Sequence, residues 1–411
     1  MKHESNDYVI RVLNSPDEVN AADWNELLHA QPEATPFMRH EYLAALHHSG
    51  SATPNTGWTP RFFTLWQGTM LAGVCALYLK DHSYGEYVFD HAWANAYRHH
   101  GLHYYPKAVV AAPFTPVPGA RLLARNATVR TLLVKALVAW CEKEKLSSLH
   151  LLFASDDDVA ACEEAGLMLR HTVQFHWTVP PSGYHDFDDF LMTLSHEKRK
   201  KIRQERRKVL EAGISFRWSL GPDISSVDWD FFYQCYERTY FEHGNAPYLS
   251  RDFFQRMQDT MPENWLLFVA ERNGVAIATS LIAVSARPSG IEDRFDYKNQ
   301  INTAYGRYWG ALERVDCLHF EACYYQPLEW CIANGFQRFE GGAQGEHKMA
   351  RALLPVKTTS AHWLAHPAFA DAVERYLARE GAGIDNYIDE LEKRSPFKAN
   401  AEPYIPKAAK T

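Results

Sequence analysis

Polar and charged side chains gather around a glycine pair near residue 341. The segment Leu318–Arg351 is predicted to form an amphipathic helix and then a short strand that ends at Gly341-Gly342. Glycine permits positive φ angles and lets a ligand approach the backbone closely. The neighbouring side chains supply carboxylate, amide, imidazole and cationic groups: Glu340, Gln344, Glu346, His347, Lys348 and Arg351. This combination predicts a site for polar chemistry on an anionic ligand, with a solvated surface turn as the alternative.

The elements that position this turn follow a plan that occurs twice in the chain. A helix opened by Asp23-Trp24 precedes the turn Gln67-Gly68 by 44 residues, and a helix opened by Asp228-Trp229 precedes Asn273-Gly274 by 45. Both turns lie between apolar runs, which is typical of β-hairpins. In each half, a helix that contains Trp-Cys is then followed by a short strand. The same order of landmarks in both halves predicts an internal duplication.

The duplication predicts an α+β fold made of two units. Apolar and polar residues alternate from Thr172 to Val179, which predicts a half-buried strand at the end of the first unit. Pro180–Gly183 marks the boundary. The predicted units cover residues 1–180 and 184–394, and each is a mixed, largely antiparallel sheet flanked by helices. Where the second unit has FEGGAQGEHK, the first has FASDDDVAACEEAG, without a glycine pair, histidine or lysine. The chemistry is therefore expected in the second unit or in the cleft between the two units.

The composition is that of an ordinary globular protein. Of the 411 residues, 46% are hydrophobic and 23% are charged, enough for a large core and two domains. The N-terminal residues contain no apolar signal-type segment and no run approaches the length of a membrane span, so membrane insertion is not expected. Seven cysteines without CxxC spacing predict reduced thiols in a cytoplasmic protein, and no metal is expected. Residues 395–411, with three prolines and several lysines, are predicted to form a flexible tail.

A strongly basic run interrupts this acidic chain. The net charge is −7, but Lys198–Lys208 contains eight cations and one anion, a local +7, which leaves −14 for the remainder. Such a block points to an anionic partner such as phosphate, nucleotide or RNA. The candidate contacts to phosphate or tRNA are Arg199, Arg203 and Arg207. A solvated helix face is the alternative.

Several stretches resemble the FemAB-like branch of the GNAT acyltransferase superfamily, whose founding members add amino acids to peptidoglycan precursors. The similar stretches are Tyr104–Leu123, the basic run, Tyr305–Ala311, LHFEACYYQ and FEGGAQGEHK. The resemblance implies two tandem GNAT-like units and N-acyl transfer to a small-molecule or peptide amine. Arg338–Ala343 matches the sequence pattern of the loop that binds the coenzyme A pyrophosphate in this superfamily, although it follows the helix that this loop should precede. Acyl-CoA is the favoured donor and aminoacyl-tRNA the alternative.

The implied reaction assigns roles to the candidate residues. N-acyl transfer needs a deprotonated amine and stabilisation of a tetrahedral oxyanion. Lys348 is the preferred oxyanion or phosphate contact, and Glu340 or His347 would assist proton transfer. Each of the three has a structural role as its alternative. The candidate substrate-binding residues are Arg307, Tyr308, Glu321, Tyr325, Gln344 and Arg351.

Other reaction classes lack their motifs. The chain contains no G-x-S-x-G, Walker A, G-x-G-x-x-G or H-E-x-x-H sequence. A third hypothesis, beside the two donors, is a non-catalytic module that recognises a cell-wall precursor or another anionic ligand. The sequence carries no signal for a particular oligomeric state.

Overall fold

The structure is a computed structural model that describes residues 8–285, 301–343 and 345–398. Thirteen strands form one sheet across this part of the chain. The strands are β1 (Tyr8–Leu13), β2 (Trp58–Gln67), β3 (Met70–Lys80), β4 (Lys107–Val110), β5 (Leu123–Ala124), β6 (Ser148–Ala154), β7 (Met168–Thr178), β8 (Ile214–Leu220), β9 (Trp265–Arg272), β10 (Val275–Val284), β11 (Thr303–Ala311), β12 (Arg338–Ala343) and β13 (Leu354–Leu364). Their order is β1-β2-β3-β4-β6-β13-β7-β12-β11-β10-β9-β8, and β5 pairs with β3.

Helices cover the sheet and connect its strands. They are α1 (Ala21–His29), α2 (His40–His48), α3 (His91–His99), α4 (Ala127–Lys143), α5 (Asp156–Glu164), α6 (Phe187–Thr193), α7 (His196–Glu211), α8 (Ser226–Glu242), α9 (Arg251–Thr260), α10 (Leu318–Phe320), α11 (Gln326–Ala333) and α12 (Pro367–Glu392). Polar N-caps fix several of their starts: Asn20, Asn126 and Ser225 each accept a hydrogen bond from a first-turn backbone N–H of α1, α4 and α8.

The two halves of the chain repeat one arrangement of elements. In the first half, β2 and β3 form a hairpin and β4 runs parallel to β6, with α4 between them. In the second half, β9 and β10 form a hairpin and β11 runs parallel to β12, with α10 and α11 between them. The second hairpin turns at Asn273 and Gly274, which have φ angles of 51° and 76°. Positive φ at both positions is what a two-residue hairpin turn of type I′ requires. Both predicted hairpins and the α+β class are confirmed.

The halves are joined by an exchange of strands. β13 comes from the second half but lies between β6 and β7, while β7 from the first half lies between β13 and β12. Their antiparallel register runs from Leu354↔His176 to His362↔Met168, and at its centre the Thr172 and Thr358 hydroxyl oxygens are 2.8 Å apart. The sheet is therefore not divided at residues 180–184, where the sequence placed the boundary between the two units.

Two local expectations need correction. The polar side of β7 was expected to face solvent, but Gln174 and His176 are buried because β7 lies inside the sheet, with the first half packed over that face. The start of the predicted flexible tail is paired: Ser195 N donates to Pro396 O at 2.9 Å and Lys398 N donates to Thr193 O at 3.0 Å. Residues 399–411 of that tail lie outside the described residues.

Helix α8 packs unusually close to β11, at Gly310. A Cβ atom built on Gly310 would lie 2.0 Å from the backbone oxygen of Cys235 on α8. Glycine is therefore required at this contact for a steric reason, since the obstructing atom belongs to the backbone and cannot rotate away. This contact fixes α8 against the strand that carries Arg307.

We expect Gly310→Ala to destabilise the protein by about 2–4 kcal/mol, because the added methyl group must separate α8 from β11. The matched control is Gly381→Ala in α12, where the new Cβ would meet only His171 Cδ2 at 3.9 Å. The control should be neutral or stabilising by up to about 1 kcal/mol, because alanine favours the helix. Urea denaturation followed by tryptophan fluorescence measures both. Equal stability of the two variants would contradict the steric account.

Candidate active site

A cavity opens where the parallel strands β11 and β12 stop pairing. The two strands pair from Thr303↔Arg338 to Tyr305↔Glu340 and then separate. The residues that follow on β11 and β12 line a cavity of about 590 Å³, which we call the inter-half cavity. In sheets with parallel strands, ligands commonly bind beyond the carboxyl ends of those strands. The cavity lies at such an end, between the two halves.

The walls of the inter-half cavity come from both halves of the chain. β11 and β12 contribute Gly306, Arg307, Tyr308, Gly341 and Gly342, and the second-half helical region contributes Tyr236, Tyr240 and Leu249. The first half contributes Tyr87, Val88, Phe89, Phe114, Pro116, Phe153, Arg170, Thr172, Val173 and Gln174. Neither half could form this cavity alone.

Each of the two diverging strands carries a β-bulge at the cavity. In β11 the extra residue is Arg307, since its neighbours Gly306 and Tyr308 pair with consecutive residues of β10. In β12 the bulge falls at Gly341-Gly342. The three residue steps from Glu340 to Ala343 pair with only two steps on β7, from His176 to Gln174, and Gly342 has a φ of 77°. Bulges redirect side chains and leave a residue out of the ladder, and they are enriched beside active sites.

Arg307 supplies a positive charge that no described carboxylate neutralises. Its Nη2 donates to Phe114 O at 2.6 Å, and its Nε is buried without a hydrogen bond to any described residue. The other cation on the cavity wall, Arg170, is paired with both carboxylate oxygens of Glu380 at 2.8 and 2.9 Å. The cavity walls contain no acidic residue within the described part of the chain. The site therefore favours an anionic group at Arg307.

Glu340 lies beneath the cavity beside a buried histidine. Burial raises the pKa of Glu340 to about 7, and its Oε2 forms no hydrogen bond with a described residue. His176 Nε2 lies 4.0 Å from that oxygen and 3.3 Å from Oε1 of Gln174, which lines the cavity. Burial lowers the pKa of His176 to about 3, so this ring is neutral. Glu340 can therefore gain or lose a proton near neutral pH.

Lys348 lies on the other side of β12. Gly341 is the next residue after Glu340. A Cβ atom built on Gly341 would lie 2.5 Å from Leu353 Cδ2 and 3.3 Å from Lys348 Cδ, so these two side chains lie on that face of β12. Lys348 Nζ donates to Gly342 O at 3.0 Å, and burial lowers the pKa of Lys348 to about 8. The Lys348 side chain therefore supports the bulge from the face of β12 opposite to Glu340. Adjacent strand residues point to opposite faces of a sheet, so Glu340 and Lys348 do not meet at one point.

The third predicted catalytic residue, His347, lies at the protein surface. Its side chain is exposed, and its Nε2 is 3.3 Å from the Tyr324 hydroxyl oxygen. Burial lowers the pKa of His347, and the charges of Arg351 and Lys348 act in the same direction. The ring is therefore a neutral donor or acceptor near Tyr324. Gln344 lies outside the described residues.

Three predicted substrate-binding residues hold helix α7 in place. Arg351 Nη2 donates to both carboxylate oxygens of Glu205 at 3.0 and 2.9 Å, and the Tyr325 hydroxyl donates to the same carboxylate. Glu321 accepts a hydrogen bond from Arg206 Nε at 3.1 Å. None of these side chains is among the described residues that line the inter-half cavity. Glu205 is the one anion of the basic run, and its contacts with Arg351 and Tyr325 anchor α7 to the second half.

The helix that carries Glu321 and Tyr325 contains a π turn. Helical structure continues from α10 through a π segment, Glu321–Tyr325, into α11. Pro327 has no backbone N–H, and its ring would clash with the carbonyl of Cys323 in a regular α-helix. The π turn relieves this conflict. The proline therefore shapes the helix face that contacts α7.

The solvent-facing side of α7 is cationic. Lys200, Lys201, Arg203 and Arg207 are exposed, and Arg199 is half-buried. Arg203 pairs with Asp188 at 2.9 Å. The opposite side buries Ile202, Glu205 and Val209. The contacts of Arg199, Arg203 and Arg207 with phosphate or tRNA stay a prediction.

The equivalent place in the first half is filled by the protein itself. β4 and β6 pair between residues 108–110 and 149–151 and then separate. The buried Arg121 side chain donates to the backbone oxygens of Leu152, Gly119 and Val117. The Asp158 carboxylate accepts from the backbone N–H groups of Arg121 and Leu122 at 2.6 and 3.3 Å. These contacts take up the polar groups that a ligand would need.

Across residues 8–285, 301–343 and 345–398, no group of three or more His, Cys, Asp or Glu side chains is arranged to hold a metal ion. None of the helices described there combines the length and the apolar character needed to cross a membrane.

A family comparison agrees with this architecture. The model of a FemAB-like family, described as peptidoglycan biosynthesis/recognition, matches residues 15–399. The chain belongs to the FemAB-like family. This membership confirms the resemblance inferred from the sequence motifs. A comparison with curated proteins gives no match.

Solved structures share the fold of this FemAB-like chain at low sequence identity. FemX is 9% identical, with a TM-score of 0.52 over 89% of this chain and 100% of FemX. L-PGS from Bacillus licheniformis is 12% identical, with a TM-score of 0.50 over 87% of this chain and 97% of that one. A tandem GNAT protein from the clavulanic acid pathway aligns with a TM-score of 0.43, at 12% identity over 88% and 99% of the two chains. The predicted mixed α/β fold class is confirmed.

We expect Glu205→Gln to destabilise this FemAB-like protein by about 3–5 kcal/mol, because the buried Arg351 guanidinium loses its counter-charge. Arg351 is 2% exposed, so water cannot replace the carboxylate. Glu211→Gln is the matched control, since Glu211 is exposed at the end of the same helix. Urea denaturation should show a change within about 0.5 kcal/mol for the control. A similar small loss in Glu205→Gln would refute the anchoring role.

Glu340 should make stability fall as the pH rises from about 4.5 to about 7. The pKa of this carboxyl is about 7 in the folded protein and 4.5 when unperturbed. Between these values the folded state binds more protons than the unfolded state, so raising the pH favours unfolding. Glu340→Gln carries no charge and should remove this dependence, with a gain on the order of 3 kcal/mol at pH 8.

The measurement is the melting temperature of both proteins from pH 5 to pH 8. Glu374→Gln is the control, because Glu374 is exposed on α12 and its removal should leave the pH profile unchanged. Parallel profiles for the unaltered protein and Glu340→Gln would show that Glu340 does not titrate in this range.

Proposed function

We propose that the chain transfers an acyl group from an activated donor to an amine acceptor in the inter-half cavity. Acyl-CoA is the favoured donor, and the acceptor is a small-molecule or peptide amine. The observation that carries the proposal is the bulged Arg307 at the point where β11 and β12 separate. Its charge is not matched by a described carboxylate, and both acyl-CoA and the 3′ end of tRNA are rich in phosphate. Arginine binds phosphate through paired hydrogen bonds.

The Gly341-Gly342 bulge supplies the second requirement of acyl transfer. A bulge leaves a residue outside the ladder, so its backbone N–H is a candidate donor to the tetrahedral oxyanion. Lys348 Nζ binds Gly342 O from behind and so positions this bulge. In this proposal Lys348 acts through the backbone, and its positive charge adds to the field at the oxyanion.

Glu340 is the proposed proton acceptor. In the reaction, the amine nitrogen bonds to the carbonyl carbon of the donor and the bond from that carbon to the donor's sulfur or oxygen breaks. The amine loses a proton and the leaving group gains one, so the proton balance is zero. A carboxyl with a pKa of about 7 can carry this proton through water. His347 lies at the surface, so in this proposal it would assist only a proton transfer that involves the Tyr324 hydroxyl group.

A second candidate donor is aminoacyl-tRNA. The exposed cations of α7 support this reading, because Lys200, Lys201 and Arg207 form no ion pair with any described residue. Clustered cations bind nucleic-acid backbones and make the affinity depend on salt. Membership of the FemAB-like family, described as peptidoglycan biosynthesis/recognition, also supports it. In this reading the acceptor is a cell-wall-type precursor.

Arg307→Gln should weaken donor binding at least about tenfold, because it removes the unneutralised charge of the cavity. Arg314→Gln is the matched control, since Arg314 is exposed seven residues further along the chain. Titration calorimetry with acetyl-CoA and with charged tRNA measures binding, and mass spectrometry of mixtures with peptide amines detects the amide product.

The outcomes separate the candidates. Product from acyl-CoA, lost in Arg307→Gln, supports the favoured donor. Product from charged tRNA alone supports the second. If Arg307→Gln binds both donors as tightly as the control does, Arg307 is not the phosphate contact. Ligand binding without any amide product would leave a non-catalytic recognition module.

A further inference from the structure

A second cavity lies along helix α3, in the first half of the chain. It has a volume of about 570 Å³, and we call it the α3 groove. Its lining comes from one side of α3 and from the segment that follows this helix, and it includes His91, Asn95, Arg98, Leu102, His103 and Tyr105. None of the described residues that line the α3 groove lines the inter-half cavity, so the two cavities are separate.

The end of α3 sets the shape of the α3 groove. Leu102 N donates to Tyr97 O at 2.9 Å and Gly101 N donates to Arg98 O at 3.1 Å, and Gly101 has a φ of 68°. This is the Schellman arrangement, in which a glycine after the last helical residues reverses the chain. The segment from Leu102 onward therefore returns beside α3. The opposite face of α3 is closed, because Trp93 and Tyr97 belong to a buried cluster with residues of α12.

A buried ion cluster fixes two tyrosines of the α3 groove. The Tyr104 hydroxyl donates to Asp90 Oδ2 at 2.7 Å, and the Tyr105 hydroxyl oxygen lies 2.8 Å from Ser83 Oγ. Lys107 is fully buried, and it donates to Ser83 Oγ at 2.9 Å and to the Asp90 carboxylate. The positive charge of Lys107 therefore offsets the charge of Asp90. Both tyrosines are held in place before a ligand arrives, and such preorganisation lowers the entropy cost of binding.

Arg98 is the cation of the α3 groove. Its side chain is exposed, and its Nη2 donates to Asn95 Oδ1 at 2.8 Å. No described residue accepts a hydrogen bond from its Nε or Nη1, so Asn95 orients the guanidinium and leaves these groups for a ligand. The described lining of the α3 groove contains no acidic residue. Guanidinium groups bind carboxylates through paired, charge-assisted hydrogen bonds.

Apolar side chains lie beside this cation. Leu102 is 38% exposed, and Ala94 and Tyr105 are half-buried in the same lining. A mostly apolar lining with a few polar groups that fix the orientation is typical of small-molecule sites, and the volume is in the range of such sites. One unpaired cation next to an apolar wall suits a ligand with one negative charge and an apolar body.

We propose that the α3 groove is a second ligand site, which binds a small organic carboxylate with its charge at Arg98 and its apolar ring system against Leu102 and Tyr105. The site goes beyond the proposed acyl transfer, because it shares no described lining residue with the inter-half cavity. The two cavities are neighbours: His91 of the α3 groove stacks on Phe89 of the inter-half cavity, with ring centroids 6.1 Å apart and planes at 27°. A ligand in the α3 groove therefore leaves the inter-half cavity open.

Three small probes test the chemistry of this site. They are 2-naphthoate, 2-naphthamide and acetate, each titrated into the full chain and followed by saturation-transfer NMR. The amide has nearly the same shape as 2-naphthoate but no charge, and acetate has the charge but no ring. We expect 2-naphthoate to bind at least about tenfold tighter than either of the others. Equal binding of 2-naphthamide, or no binding of 2-naphthoate at millimolar concentration, would overturn the inference.

A substitution of the cation locates the binding. Arg98→Gln should weaken 2-naphthoate at least about fivefold, because it removes the positive charge and keeps a polar side chain. Arg375→Gln is the matched control, since Arg375 is also exposed on a helix, α12. Exposed positions tolerate such changes, and the melting temperature of each variant verifies folding. An affinity in Arg98→Gln equal to that of the control would refute the site.

The apolar wall is tested in the same way. Leu102→Ser should weaken 2-naphthoate at least about threefold, because the ring loses an apolar contact. Leu210→Ser should leave the affinity unchanged, since Leu210 is 72% exposed on α7, outside the described lining of the α3 groove. Equal affinities in the two serine variants would show that the ring does not lie against Leu102, contrary to the proposal.

Arg307→Gln separates this inference from the proposed function. The affinity for 2-naphthoate should be the same in Arg307→Gln as in the unaltered chain. A loss in Arg307→Gln with an unchanged affinity in Arg98→Gln would place the probe in the inter-half cavity and overturn the second site, while the acyl-transfer proposal would stand. If the binding of 2-naphthoate depends on Arg98 but no donor yields an amide product, the transferase proposal fails and the α3 groove remains a ligand site.

Discussion

The pairing of β7 with β13 is the interaction on which the inter-half cavity depends. Each strand belongs to one half by sequence and is inserted beside the other half, so the sheet cannot separate at the predicted boundary. Thr172, Val173 and Gln174 of β7 also line the cavity. The exchange therefore fixes the floor of the site and holds the walls from both halves at a set distance. A simple tandem of two closed units would leave this surface exposed.

Each half contains one place where parallel strands diverge, and the two places differ. In the first half, Arg121 satisfies three backbone oxygens and Asp158 binds two backbone N–H groups, so the opening is closed by internal contacts. Burial raises the pKa of Asp158 to about 6, because this carboxylate is shielded from water. In the second half the opening is flanked by two bulges and left accessible. The first half thus supplies walls to the opening in the second half.

Local patterns predicted the elements well because their causes are local. The hairpin turns and the repeated order of elements follow from turn residues and periodicity, whereas α1 and α8 begin two residues before the Asp-Trp pairs that were expected to open them. The strand exchange could not be predicted, because the pairing of residues 168–176 with 354–362 leaves no signal in either segment alone. The three predicted catalytic residues do not meet at one point: Glu340 lies beside His176, Lys348 binds Gly342 O, and His347 is exposed. Glu205 was discoverable, since Ile202, Glu205 and Val209 share one face of a helix.

A chain of contacts connects the basic helix to the cavity. Glu205 binds Arg351, which closes the short helical turn that carries Lys348, and Lys348 binds Gly342 O in the bulge. The buried side of α7 therefore supports the backbone that lines the site, while its exposed side carries most of the cations of the basic run. Because a helix is rigid, the two sides cannot move independently. The position of the Gly341-Gly342 bulge is thus linked to an ion pair outside the described lining of the inter-half cavity, and the geometry of the site depends on the packing of the basic run.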